Sequence, residues 1–432
     1  MTLFKSNTGR LHNQIYLSVI VSYFSMALVV IFPGALIIVS SGGHAALYLL
    51  LFSIIGLWLQ GKSNRLARGE RIFIILFITY FLIHILSFWL FDISINELDT
   101  PSRFLLALPI YFYLRNKAEF ISWLYVGLIF GAIGAGLISM YQFGVEDLGR
   151  ASGSIEPGRF GLISSALSSM CLVGAIISKK SLTRLLFVLA VCLGLLATFL
   201  SGTRGAWLST VLVIIILIVV IVPKHKFSAL MLILSIFVLS HYALMASSNV
   251  YIERFIQAEL GFADYFSEQT NTWRDDERFN SSVGVRLELY KGAYRVAKRG
   301  PIIGFGEGNF DVNLEKLAND GKVSRLVLNY GHAHQEYLTT LVEQGLVGLI
   351  SLLSIFIYPI IFFKKYLKSS NHDLKLLSLI GSVLPLNYML FSFTSGSLDH
   401  QSSTLFYALM TVVIFSLLHA KLMQISLKSS KE

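Results

Sequence analysis

Apolar runs of about 20 residues recur along almost the whole chain, each separated from the next by a polar connection. In lipid, backbone N–H and C=O groups find no water, so runs of this length are predicted to cross the bilayer as helices. The pattern gives twelve spans, centred near residues 25, 52, 82, 108, 131, 169, 192, 213, 236, 350, 384 and 410. The fourth, "SRFLLALPIYFYL", is short and contains Pro109, which removes a helical donor. The expected fold class is therefore an all-α polytopic membrane protein.

Alternate connections collect the cations. Lys5 and Arg10 begin the series, followed by Lys62, Arg65, Arg68 and Arg71, then Arg115 and Lys117, then Lys179, Lys180 and Arg184. Lys224 and Lys226, then Lys364, Lys365, Lys368 and Lys375, then Lys421, Lys428 and Lys431 continue it. The positive-inside rule makes these segments cytoplasmic, with both termini inside. An even number of spans agrees with that assignment. The N-terminal "MTLFKSNTGRLHNQ" is polar and no small-residue cleavage site closes the stretch after it, so no cleavable signal peptide is expected.

One outer connection is long. Residues 1–246 hold the first nine spans, residues 247–333 form a polar loop domain, and residues 334–432 hold the last three spans. The loop domain carries twelve acidic and eleven basic residues. Loops of that length are functional or folded. "SSVGVRLELYKGAYRVAKRG" reads as a helix capped by Ser281 or Ser282 and ended by Gly300-Pro301, and "DVNLEKLAND" as a second short one.

Composition narrows the function classes. The chain has 432 residues, of which 55% are hydrophobic and 14% charged, against roughly 25% charged in soluble domains. The net charge of +10 follows the connections and records orientation, with some attraction to anionic membrane lipids; nucleic acid is not needed to explain it. Cys171 and Cys192 both lie in apolar runs, so neither a disulfide framework nor a thiolate metal site is expected.

Candidate chemistry gathers at the outer face. "GHAHQEYLTTLVEQGLVGL" (331–349) places His332 and His334 where the loop domain re-enters the membrane. Read as one helix, Gly345 lies three turns below His334 on the same face, with Gly348 about 40° away. This is either an interfacial histidine above two packing glycines or a histidine held rigidly for chemistry. Arg204, in "SGTRGAW", stands at the tight junction of spans seven and eight, where an arginine snorkels or meets an anion. Arg286 opens the loop-domain helix, whose first N–H groups also suit an anion. Arg150 and Arg159, in "GRASGSIEPGRFG", add two outward cations, and the glycines of "GFGEGNF" make either a plain turn or a backbone anion nest. Within the membrane the polar candidates reduce to His84, Glu343 and Asn387, few for an ion-coupled carrier. His332-Ala-His334 lacks partner carboxylates or thiolates near it in sequence, so no metal site is expected.

These residues resemble the O-antigen ligase family, polytopic glycosyltransferases that join a lipid-linked polysaccharide to the lipid A core. The pattern His-[Asn/Ser/Gln], nine residues, then Gly-x-x-Gly is met by His334, Gln335, Gly345 and Gly348. "SGTRGAW" looks like the family's outer-face arginine, and "GVRLELYKGA…GPIIGFGEGNF" like the arginine-bearing helix and turn of its large periplasmic loop. The resemblance implies a GT-C-like glycosyltransferase of the bacterial inner membrane with its active site on the periplasmic face. The donor it implies is a glycan on undecaprenyl diphosphate, and the acceptor a sugar hydroxyl of the lipid A core. His334 would be the base, Arg204 and Arg286 the grip on the diphosphate, and His332, Gln335, Arg150 and Arg159 further substrate contacts. No cofactor is implied, and direct displacement would invert the anomeric carbon. The same pieces recur in O-antigen polymerases and protein O-oligosaccharyltransferases, and a transporter of the same lipid-linked sugar is the alternative from another class.

Overall fold

A computed structural model describes residues 2–60, 65–221 and 282–430. The described residues are helical with no strand. In order, the helices are α1 (Thr2–Ile38), α2 (His44–Gln60), α3 (Arg68–Phe91), α4 (Asp99–Leu106), α5 (Leu108–Leu114), α6 (Ile121–Gly144), α7 (Pro157–Ile177), α8 (Ser181–Leu200) and α9 (Arg204–Ile221). After the segment outside the described residues come α10 (Ser282–Ala297), α11 (Phe310–Asn319), α12 (Glu336–Lys364), α13 (His372–Phe391) and α14 (Gln401–Ser429).

Among the described residues, eight helices are long and apolar enough to cross a membrane, and two shorter apolar ones, His44–Gln60 and Arg204–Val220, accompany them. This makes the chain a polytopic membrane protein. Two of the twelve expected spans read differently. The fourth is two short helices, α4 and α5, that meet at Ala107, because Pro109 brings no N–H and crowds the carbonyl four residues before it. The ninth, near residue 236, lies outside the described residues, as does the first part of the 247–333 loop domain. The two helices expected in that domain are α10 and α11, which share a small core of Leu289, Ala293, Phe310 and Leu314.

The membrane bundle packs through aromatic stacks and small residues. Phe415 of α14 stacks between Phe73 of α3 and Phe362 of α12, at 4.1 and 4.3 Å between ring centroids. Asn387, one of the polar residues expected within the membrane, donates to Ser165 at 2.7 Å, and Ser165 is 2.6 Å from Thr210. These bonds tie α13, α7 and α9 together, the usual employment of small polar residues between membrane helices.

Connections between hydrogen-bonded neighbours define two ends. At one end Ser154 donates to Ile37, Ala151 to Leu200, and Glu336 to Ser392. At the other, Glu70 takes Arg115 through Nε at 2.8 Å and Nη2 at 3.0 Å, with Tyr111 donating at 2.5 Å, and His419 Nε2 lies 3.3 Å away. Arg115, counted among the cations of a cytoplasmic connection, is thus fully buried. Neutralised by Glu70, it is a structural group.

Helix α12 breaks at Gly345, with φ 64° and ψ −158°. Leu346 and Val347 donate instead to Pro301 (2.9 Å) and Ile302 (3.1 Å), while Phe305 and Gly306 donate to Val342 (3.0 Å) and Glu343 (2.8 Å). The straight face expected from His334 to Gly345 therefore does not form. His334 precedes the helix with φ 51°, Gln335 is its N-cap, and Gly345 is the break. Gly348 has a different neighbour too. A Cβ there would lie 2.2 Å from the Cβ of Gln344, so its bareness makes room for that side chain rather than for another helix.

Two stability outcomes follow from these contacts. Gly345→Ala should destabilise the protein by more than the about 1–3 kcal/mol of a strained backbone, since its Cβ would also fall 2.4 Å from the Ile302 carbonyl. Arg115→Ala should cost about 3–5 kcal/mol by leaving Glu70 buried and unpaired, and replacing both by methionine should recover most of it. Denaturant unfolding in detergent, compared with the parent chain, measures both.

Candidate functional site

The loop 330–335 between the loop domain and α12 holds both histidines. The His334 backbone N–H donates to Nδ1 of His332 at 3.1 Å. This fixes His332, when neutral, with its proton on Nε2. The two rings are 4.2 Å apart edge to face, and Tyr330 stacks against His334 at 5.2 Å. Gln335 caps the helix by accepting from Leu338 at 2.5 Å, so its side chain is employed locally.

Burial holds both imidazoles below the usual histidine range. For His334 the adjoining His332 and then the Arg286 guanidinium add to burial, and together they bring it to about 4. For His332, burial dominates, opposed by Asp399 and reinforced by Arg159. His334 is therefore a neutral imidazole across the ordinary pH range, a proton acceptor beside fixed positive charge.

The four arginines differ in what they do. Arg286 is half-buried on the first turn and a half of α10, near enough for its charge to act on His334. Arg204 is exposed at the first position of α9, in the same end of the bundle. Its neighbour Gly205 packs on Thr394, so α9 begins against the loop that also carries Asp399. Arg150 donates from Nε to the Ser201 carbonyl at 2.8 Å and from Nη2 to Thr203 at 3.2 Å, which braces the turn leading into Arg204. Arg159 is buried, with Nη2 2.7 Å from Asp399 and Nη1 2.5 Å from the Gly396 carbonyl. These two side chains hold loops beside the histidines.

A second group joins His84 and Glu343, singled out in the sequence as polar residues within the membrane, to Glu307 and Gln344, which sequence reasoning passed over. Glu307, from the "GFGEGNF" turn, reaches His84 of α3, whose Nδ1 it contacts closely. Gln344 donates to the same Glu307 oxygen at 2.9 Å. The glycines of that turn are therefore not a bare anion nest. Gly304 (φ 70°) lies against the Glu343 backbone and Gly306 (φ 90°) against Phe91, which lets the turn wedge between α3 and α12. Beside this trio, Glu336 accepts from Ser397 and Leu398 at 2.6 and 3.2 Å, and Glu343 accepts from Gly308 at 3.2 Å. A carboxylate between two glycines is the one local signal that could have marked Glu307, since such a turn brings it close to another backbone.

Comparison with known proteins bears on these residues. Over 400 residues, covering 92% of this chain and 96% of the relative, the sequence is 25% identical to an uncharacterized protein of Haemophilus influenzae. The family model described as O-antigen ligase matches residues 185–353. The stretch bearing Arg204, Arg286 and His334 lies within that match.

Proposed function

We propose that the protein is an inverting, metal-independent glycosyltransferase of the O-antigen ligase type, acting on the periplasmic face of the bacterial inner membrane. The observation that carries this reading is the His332–His334 pair, fixed in the loop that enters α12 at one end of a membrane bundle, within the family-matched segment. The donor is a glycan on undecaprenyl diphosphate, and the acceptor a sugar hydroxyl of the lipid A core. The acceptor oxygen attacks the anomeric carbon, the bond from that carbon to the phosphate oxygen breaks, and the hydroxyl proton passes to His334. Arg204 and Arg286 take up the charge that develops on the leaving diphosphate, as guanidinium binds phosphate oxygens in pairs and stays charged. Fixed cations of this kind can do the work of a divalent ion.

His332, with Nδ1 occupied by the backbone, offers Nε2–H to a substrate oxygen. Arg150 and Arg159 act on substrate through the loops they brace. A polymerase or protein O-glycosyltransferase would use the same groups and differ in acceptor alone. A transporter needs a polar path through the bundle, and among the described residues the Asn387 side chain donates to Ser165 between helices.

His334→Ala should yield a folded protein without transfer of a labelled lipid-linked glycan; wild-type rates would remove the proposed base. Arg286→Lys and Arg204→Lys should each lower the rate roughly ten- to a hundredfold, the worth of one charge-assisted bond. Offering lipid A core, a second glycan or a protein in parallel identifies the acceptor.

The pH profile gives a separate check. kcat/KM reports the free enzyme, and His334 lies at about 4. Its acid limb should bend near pH 4, not near the ~6.5 of ordinary imidazole, and Arg286→Gln should move the bend upward. The unfolded chain binds the extra proton first, so stability too should fall as pH drops from about 6.5 toward 4.

A further inference from the structure

A cleft of about 810 Å³, including its open mouth, lies between α3, the start of α4, α12 and the 396–399 loop. The proposed reaction uses only its edge, where His332 stands. Tyr80, His84, Glu97, Glu307, Glu343 and Asp399 line it, with no lysine or arginine among the lining residues.

One polar group in this wall wants a partner, and a phenol stands beside it. Tyr80 is 6% exposed and lines the cleft. Its ring is fixed by His84 and Phe104, each 4.7 Å away. Glu307 Oε2 is buried without a hydrogen bond, although Oε1 takes both His84 and Gln344. Buried polar groups are rarely left so. The remaining carboxylates are spread around the wall, and no three of them with histidine converge as a metal site among the described residues. Carboxylate acceptors mixed with a phenol and an amide suit a ligand whose groups both donate and accept, which is the chemistry of sugar hydroxyls.

On the glycosyltransfer reading above, we infer that this cleft seats an uncharged, hydroxyl-bearing sugar ring of the acceptor, held by Tyr80 and Glu307. Charge then sorts the two substrates. Arg204 and Arg286, absent from the lining, attract the diphosphate. The carboxylates repel any phosphorylated group from the acceptor seat. Burial, followed by the charge of Glu307, raises Glu97 above the usual carboxylate range, in keeping with this crowding of acids.

The full chain in lipid nanodiscs, probed with lactose and with glucose 6-phosphate by saturation-transfer NMR, tests the assignment. Lactose should show saturable transfer and glucose 6-phosphate none. Tyr80→Phe and Glu307→Gln should each weaken lactose about three- to tenfold, as loss of one hydrogen bond does. The same variants should raise KM for the lipid A core more than they lower kcat, with donor KM unmoved, a split that a merely structural defect would not give. Glu97→Gln, at an exposed position, should let glucose 6-phosphate bind if the buried variants fail to fold. Unaltered lactose binding and acceptor KM in the variants, or equal binding of the two sugars, would overturn the cleft assignment while leaving His334→Ala inactive. Full transfer by His334→Ala would instead overturn the reaction on which it rests.

Discussion

In an unbroken helix the N–H groups of Leu346 and Val347 would donate to the carbonyls of Val342 and Glu343. Here all four groups are given to the 301–306 turn, two as donors and two as acceptors. A membrane helix tolerates a break only where such groups are satisfied again, so the turn and the break require each other. The exchange has consequences on both sides. It locks the loop domain to the bundle, and it points Glu307 down at His84. It also swings Gln344 over the bare Cα of Gly348 and onto the same carboxylate. Both glycines of the Gly-x-x-Gly pattern thus serve one wall of the cleft.

One end of the bundle carries both signs of charge. Arg286 acts on His334, and Arg204 stands at the start of α9 in the same end. Carboxylates from α12 and from two loops lie toward α3. Between them, His332 borders the cleft and feels both Asp399 and Arg159. A reaction that separates an anionic leaving group from a neutral nucleophile suits a field of this shape, because the low dielectric at a membrane margin weakens neither side.

Much of this was legible in the sequence, for identifiable reasons. Hydrophobic length gave the membrane class, since it reports on the bilayer itself. Pro109 marked the weak fourth span because its effect is local. That Arg115, counted among the cations of a cytoplasmic connection, is buried could not be read, since its partner, Glu70, is 45 residues away. His334 and Gly345 were put on one helical face by spacing alone, which cannot reveal that a distant turn takes over the hydrogen bonds between them. The cleft went unseen for the same reason. Tyr80, Glu307 and Asp399 come from three far-apart segments, none with a pattern of its own.

The break also explains why the histidines are not on the helix. His334 adopts φ 51°, a conformation that costs a non-glycine residue energy and persists only where its surroundings impose it. The surroundings are specific. Its N–H is taken by His332, the next residue caps α12, and Glu336 donates its N–H to Ser392 while its carboxylate holds Ser397 and Leu398. The loop bearing His334 is thereby fixed to the 392–399 segment, and that segment is fixed by Arg159 to α7. A histidine on the helix would move with α12 alone. One held in this loop is positioned by α7, α12 and α13 together, which is the rigidity that the proposed role of the imidazole as a base demands.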